Sequence, residues 1–141
     1  MRPHDLAANQ AVLGYLGQGS APDEVEVRSP PDDVDTWRLG AHPDVVDRLW
    51  HQLAGSGHGQ PVLAGHTAAV LDLRSGLIVA VALGTQYAIR VSDPWLATAL
   101  EAGYEAVHRF GTVGRTMDLK ATFGPNWVFG RYDEREPGWL W

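Results

Sequence analysis

From residue 62 to residue 91 apolar and polar positions follow a period of two, the repeat of a β-strand with one buried face. Three strands are expected, over 67–74, 77–83 and 86–91, with 62–64 as a short fourth. Ser75-Gly76 and Gly84-Thr85 mark the connections, and Gly-Thr suits a two-residue turn with glycine first. Two-residue loops at both turns bring Leu73 opposite Ile78, Leu71 opposite Ala80 and Ala69 opposite Ala82. They also bring Ala82 opposite Tyr87, Ala80 opposite Ile89 and Ile78 opposite Val91. One face is then wholly apolar, while Asp72, Arg74, Gln86 and Arg90 gather on the other. A three-residue first loop would set Asp72 beside Ile78 on the buried face. An unpaired carboxylate there is costly, so the two-residue register is preferred.

Helical spacing flanks this meander. Pro43 follows His42 at a first helical position, and Val45, Val46, Leu49, Trp50 and Leu53 then share one face, predicting a helix over 43–54. Asp93-Pro94 is a second start signal, followed by Leu96, Ala99, Leu100, Gly103, Val107 and Phe110 on one side of a helix over 94–110. Gly103 is expected to mark close helix–sheet contact. A weaker pattern, Leu6, Val12, Leu13 and Leu16, predicts a helix over 5–16. The fold class expected is α+β: an antiparallel three- to four-stranded meander flanked by two main helices, with an N-terminal helix and a Trp-rich C-terminal segment. Residues 1–36 read as an N-terminal extension and 37–141 as a single domain.

The strand over 77–83 is apolar on both faces. Leu77, Val79, Val81 and Leu83 project away from the main core, with Val70 and Ala88 as neighbours, and this second face needs cover. The N-terminal helix, the Trp-rich tail or another subunit are the available covers. Six tryptophans stand in 141 residues, and each brings a large apolar area. Trp127 and Phe129 alternate and should face one way together. Trp139 and Trp141 sit near the end of the sequence, where they either dock on the body or present an anchor to another molecule.

Charge changes the picture in one place. The chain has 17 acidic and 11 basic residues, a net charge of −6. Nearly all of the excess lies in 20–36, where Asp23, Glu24, Glu26, Asp32, Asp33 and Asp35 face only Arg28, and Pro30-Pro31 forbids a helix. That stretch reads as a solvated linker, with Val25 and Val27 able to form a short edge strand. The sharper alternative is an acidic recognition strip for a basic partner. An acidic chain lacks the electrostatic footprint of a nucleic-acid binder and has no attraction to an anionic membrane. No apolar run reaches the roughly 18 residues of a transmembrane helix. Cysteine is absent, which excludes disulfides and thiolate chemistry. A cytoplasmic location is expected.

Candidate chemistry is thin. Gly55-Ser56-Gly57-His58-Gly59 follows a predicted helix and precedes a strand, the wrong order for phosphate to meet a helix N-terminus. His4, His42, His51, His58, His66 and His108 raise the question of metal, and Asp44, Asp47 and His51 share one helix face. No recognised ligand spacing connects them. No serine lies in Gly-x-Ser-x-Gly, and no spacing rule selects a base such as His66 with Asp72. No catalytic residue, metal site or cofactor is assigned. The function expected is a small non-catalytic protein-interaction module, inhibitor- or immunity-like or self-associating. Its candidate contact residues are Leu77, Val79, Val81, Trp127, Phe129, Trp139, Trp141, Asp32, Asp33 and Asp35. A small-ligand or sugar-binding domain built on Trp127, Phe129 and Tyr132 is the alternative. A metal-dependent or acid/base enzyme stands behind both.

Overall fold

The computed structural model describes residues 2–17, 20–34, 39, 41–53, 59–84, 86–105, 107–110 and 115–131. In chain order these form α1 (Ala7–Leu16), β1 (Val27–Arg28), α2 (Pro43–Asp47), β2 (Gly59–Ala64), β3 (Thr67–Asp72), β4 (Ile78–Leu83) and β5 (Gln86–Arg90). Then follow α3 (Leu96–Glu101), β6 (Val107–Phe110), β7 (Arg115–Asp118), α4 (Leu119–Thr122) and β8 (Trp127–Arg131). The mixed helix-and-sheet class and the antiparallel pairing are as expected. The strand count is not: the main sheet has six strands in the order β1-β2-β3-β4-β5-β8, and β6 and β7 make a separate two-stranded ribbon. Four α-helices replace the predicted two main ones with their N-terminal companion. The extra strands are short pieces at the two edges, where alternation over so few residues carries little signal.

The helices lie on both faces of the sheet. Beneath α2 and α3 one core gathers Val45, Val46 and Leu49 with Val70, Val79, Ala80, Ala82, Tyr87 and Ile89. Beneath α1 and α4 a second core gathers Val12, Leu13 and Leu16 with Ala69, Ile78, Val81, Ala88, Phe123 and Trp127. The N-terminal helix therefore covers the second face, one of the three covers expected from the sequence. Residues 132–141, with Trp139 and Trp141, lie outside the described residues.

The β4–β5 hairpin has the expected register, with Ala82 opposite Tyr87, Ala80 opposite Ile89 and Leu83 opposite Gln86. Gly84 takes φ +62°, the left-handed conformation that such a tight turn needs. The β3–β4 register differs. Ala69 meets Val81, Val70 meets Ala80 and Leu71 meets Ile78, so Val79 is the extra residue of a bulge. The bulge puts Val79 and Ala80 on the α2/α3 side together and sends Ile78 to the α1 side. Arg90 lies on that same α1 side, where Nε donates to the Ile78 carbonyl. The sequence-based faces of β3 relative to β4 are thus corrected.

Asp72 explains why the sequence argument misled. Its carboxylate is buried, yet it accepts hydrogen bonds from Ser75 Oγ at 2.8 Å and from the Arg74 N–H at 3.2 Å. The turn supplies local partners, and the cost assumed for an unpaired carboxylate does not arise.

The α2 start is as predicted: Pro43 sits at the first position, and His42 Nδ1 accepts from the Asp44 N–H at 3.1 Å. Beyond Asp47 the helix widens into a π-helical turn, Arg48–Leu53. Leu49 and Trp50 both reach the sheet from it, and the Trp50 indole N–H donates to the Ala69 carbonyl at 3.0 Å. The helix expected over 94–110 stops at Glu101. Gly103, at φ +103°, and Tyr104 close it through Gly103 N–H to Leu100 O and Tyr104 N–H to Ala99 O, the Schellman pattern of a helix end. Gly103 terminates the helix rather than marking close packing, since nothing lies within 4 Å of where its Cβ would be. Val107 and Phe110, counted as helix positions, belong to β6.

One buried polar side chain fixes α1 on this scaffold. Asn9 is fully buried, donates through Nδ2 to Pro3 O (2.8 Å) and Gly76 O (3.0 Å), and accepts the Ile78 N–H at Oδ1 (2.9 Å). At the other edge, the backbone of Gly130 passes so close to two rings that a Cβ there would stand 2.6 Å from Tyr104 and 2.7 Å from Tyr87.

Two substitutions test this packing. Asn9→Ala leaves the Ile78 N–H without its partner and should cost about 1–3 kcal/mol. Gly130→Ala forces the two rings apart and should cost about 1–3 kcal/mol by overpacking. Urea denaturation midpoints measure both, and an unchanged midpoint for Asn9→Ala would show that α1 is held by apolar contact alone.

Candidate functional site

The residues singled out from the sequence separate into interior and surface groups. Val79 and Val81 are buried on opposite sides of the sheet, and Leu77 is half-buried against the α2/α3 core. Trp127 and Phe129 do face one way, as expected, and both are buried in the α1/α4 core. Trp127 meets Phe123 edge-on with ring centroids 5.1 Å apart. These side chains are committed to packing within the chain. Asp32 and Asp33 are exposed. Asp35, Tyr132, Trp139 and Trp141 lie outside the described residues.

Arg90 lies on the face opposite Tyr87 and Ile89, as the alternation predicts, but that face is covered by α1 and shared with Ile78. In the structure its guanidinium lies over the Trp127 ring, 5.1 Å from the centroid, and Nη2 donates to the Ala8 carbonyl at 3.2 Å. Burial lowers its pKa from the ordinary arginine value, a range in which arginine stays charged at neutral pH. Its role is to tie α1 to the sheet through backbone carbonyls and an aromatic face. Only the pairing of β5 with β8 brings Trp127 opposite Arg90, and that pairing spans a long sequence separation.

The histidines remain scattered. His51 Nδ1 lies 2.8 Å from Asp47 Oδ1 on the exposed side of α2, a surface pair one helical turn apart. His66 is exposed in the β2–β3 turn, and His58 lies outside the described residues. Among the described residues no group of three or more histidines and carboxylates could hold a metal ion, and no helix is long and apolar enough to cross a membrane.

The acidic stretch has more order than a linker requires. Pro22–Glu24 forms a single 3-10 turn, Val25 is buried, and Val27–Arg28 pairs with Ala64 and Leu63 as the edge strand anticipated from Val25 and Val27. The Gly65 N–H donates to Glu26 O at 2.7 Å, and the His4 imidazole is hydrogen-bonded to Val25 O. The backbone is therefore attached at three successive residues, 25 to 27, while Asp23, Glu24, Glu26, Asp32 and Asp33 all turn to solvent. Arg28 Nε stands 3.8 Å from Glu26 Oε1, a loose surface pair that adds little stability. What this arrangement offers chemically is a set of carboxylates displayed from a fixed edge.

Comparison with protein-family models, with curated protein sequences and with solved structures finds no match.

Asp72, the one buried acid among the described residues, carries a pH dependence. Burial raises its pKa, but hydrogen bonds from Ser75 and Arg74 and the Arg74 charge together outweigh burial, and the net direction is down. A carboxylate lowered in the folded state stabilises the protein above its unfolded pKa, near 3.9, and loses that contribution as pH falls through the folded value. Asp72→Asn should therefore flatten the loss of stability on acidification below about pH 4. Thermal denaturation across that range checks it, and identical acid profiles for both proteins would assign the acid sensitivity to other groups.

Proposed function

We propose that this chain is a non-catalytic protein-interaction module that meets a basic surface of its partner through the acidic strip 23–33. One observation carries the reading: of five exposed carboxylates, Asp23, Glu24 and Glu26 stand in or beside a backbone attached to the sheet edge over 25–28, and Asp32 and Asp33 follow in a turn closed by the Val34 N–H to Pro31 O, so their backbone positions are defined. A free linker would spread the same charges over many conformations and lose the benefit of preorganisation. The candidate contact residues Asp32 and Asp33 remain part of the surface that does the work. The apolar candidates Val79, Val81, Trp127 and Phe129 are core residues, and Trp127 and Phe129 lie on β8 at the opposite edge of the sheet.

The aromatic-cleft alternative has less support, because Trp127 and Phe129 fill the α1/α4 core. An acid/base reading would draw on the His51–Asp47 pair, which sits on an open helix surface instead of in a water-excluding cleft.

The test is a capture from the native host, followed by kinetics with the captured protein. Asp32→Asn combined with Asp33→Asn should slow association several-fold at low ionic strength and flatten its salt dependence, with little change in dissociation. An association rate equal to the parent's at every salt concentration would remove the strip from recognition.

A further inference from the structure

Beside the acidic strip the surface is hollowed. A cleft of about 290 Å³ lies where the end of α1, the 20–28 segment and the β2–β3 turn meet, close to the small end of known ligand pockets. Its walls come from three separate elements, so its shape is set by the fold. Leu16 and Val25, both buried, supply the apolar wall. Glu24, Glu26, His66 and Thr67 supply polar groups around it.

One glycine lets two of these walls approach, and a second turns the chain between them. A Cβ on Gly17 would stand 2.6 Å from the Val25 side chain. Gly65 turns the chain at φ +62°, and a Cβ there would lie 3.7 Å from the Leu16 carbonyl. That carbonyl belongs to the last turn of α1, the negative end of a ten-residue helix. Glu24 and Glu26 add two formal negative charges, Arg28 returns one positive charge, and the carbonyl end of the helix adds to the negative side. An apolar wall beside a negative mouth matches one chemistry: a short aliphatic stem carrying a cationic head.

We propose that this cleft receives an arginine or lysine side chain of the partner, its stem against Leu16 and Val25 and its head between Glu24 and Glu26. The inference rests on the acidic strip being the partner-facing surface, and it names the feature of the partner that the strip reads. The carboxylates along 23–33 attract a basic surface from a distance, and the cleft fixes the register by accepting one side chain from it.

Amide NMR on the whole chain tests this with small probes. N-acetyl-arginine amide and N-acetyl-lysine amide should give saturable shifts confined to Val25, Gly65, His66 and Thr67. N-acetyl-citrulline amide, of similar shape but neutral, should bind at least about tenfold more weakly, or 1.4 kcal/mol. Glu24→Gln combined with Glu26→Gln should remove the arginine response while leaving the rest of the spectrum in place. Equal shifts from the citrulline probe, shifts scattered over the surface, or a response to acetate in place of the cations would each overturn the proposal. The comparison of arginine with citrulline uses the unaltered protein, so it stands whether or not the double variant folds. Asp32→Asn with Asp33→Asn separates the two levels. Partner association sensitive to that pair, with no arginine response at the cleft, retains the strip and overturns the cleft.

Discussion

The Asn9 carboxamide is the constraint on which the arrangement of layers depends. It sits on α1, fully buried, and reaches the β3–β4 connection at Gly76 O and the Ile78 N–H. Apolar contact between Val12, Leu13, Leu16 and the sheet is non-directional and would tolerate several helix orientations. A buried amide satisfied on both its donor and acceptor sides tolerates one, because each alternative leaves a polar group bare. Arg90 repeats the connection from the sheet side, joining the carbonyls of Ile78 and Ala8. The bulge at Val79 belongs to the same system. By turning Ile78 toward α1 it places the amide where Asn9 can accept it, and it puts Val79 with Ala80 on the opposite core.

That bulge also marks the limit of what periodicity reveals. Residues 77 to 83 are apolar without interruption, and a strand buried on both faces carries no alternation to show which residue is the extra one. The β4–β5 register was legible because a glycine turn and the alternation of Gln86, Tyr87, Ala88, Ile89 and Arg90 agree. The β3–β4 register had only Asp72 to decide it, and the inference that a carboxylate there would be unpaired overlooked the partners two and three residues away in its own turn. The start of α2 was legible from His42-Pro43, whereas the end of α3 was not, since Gly103 has the same letter whether it packs closely or ends a helix. Its positive φ, the hydrogen bonds that close the helix and the open space around it distinguish the two.

The candidate surface shows the same division. Composition alone located the acidic stretch, and Val25 and Val27 suggested its strand. What holds the backbone of 26–28 in place is pairing with Leu63 and Ala64 and the Gly65 N–H bond to Glu26 O, contacts nearly forty residues apart in sequence and invisible to local pattern. Leu77, Val79 and Val81 stood out because one sheet face lacked an obvious cover. The helix α1, weak in pattern and weakened further by Gly14 and Gly17, is that cover, and α4 with Phe123 completes the layer.

The sheet edges leave little backbone for another chain to pair with. An open edge strand invites pairing by another chain through its backbone. Here β8 is bridged at Phe129 by Glu105, N–H to O in both directions at 3.0 and 2.6 Å. At the opposite edge β1 is two residues long, Pro30-Pro31 follow it, and Pro61 lies in the neighbouring part of β2. Proline offers no N–H to an added strand, and the exposed carboxylates of 23–33 repel another acidic edge of the same kind. A second copy of this chain therefore meets like charge at that edge, while a basic surface meets attraction. In the proposed reading the same carboxylates that discourage strand addition also set the sign of the partner, so edge protection and selectivity would follow from one placement of charge.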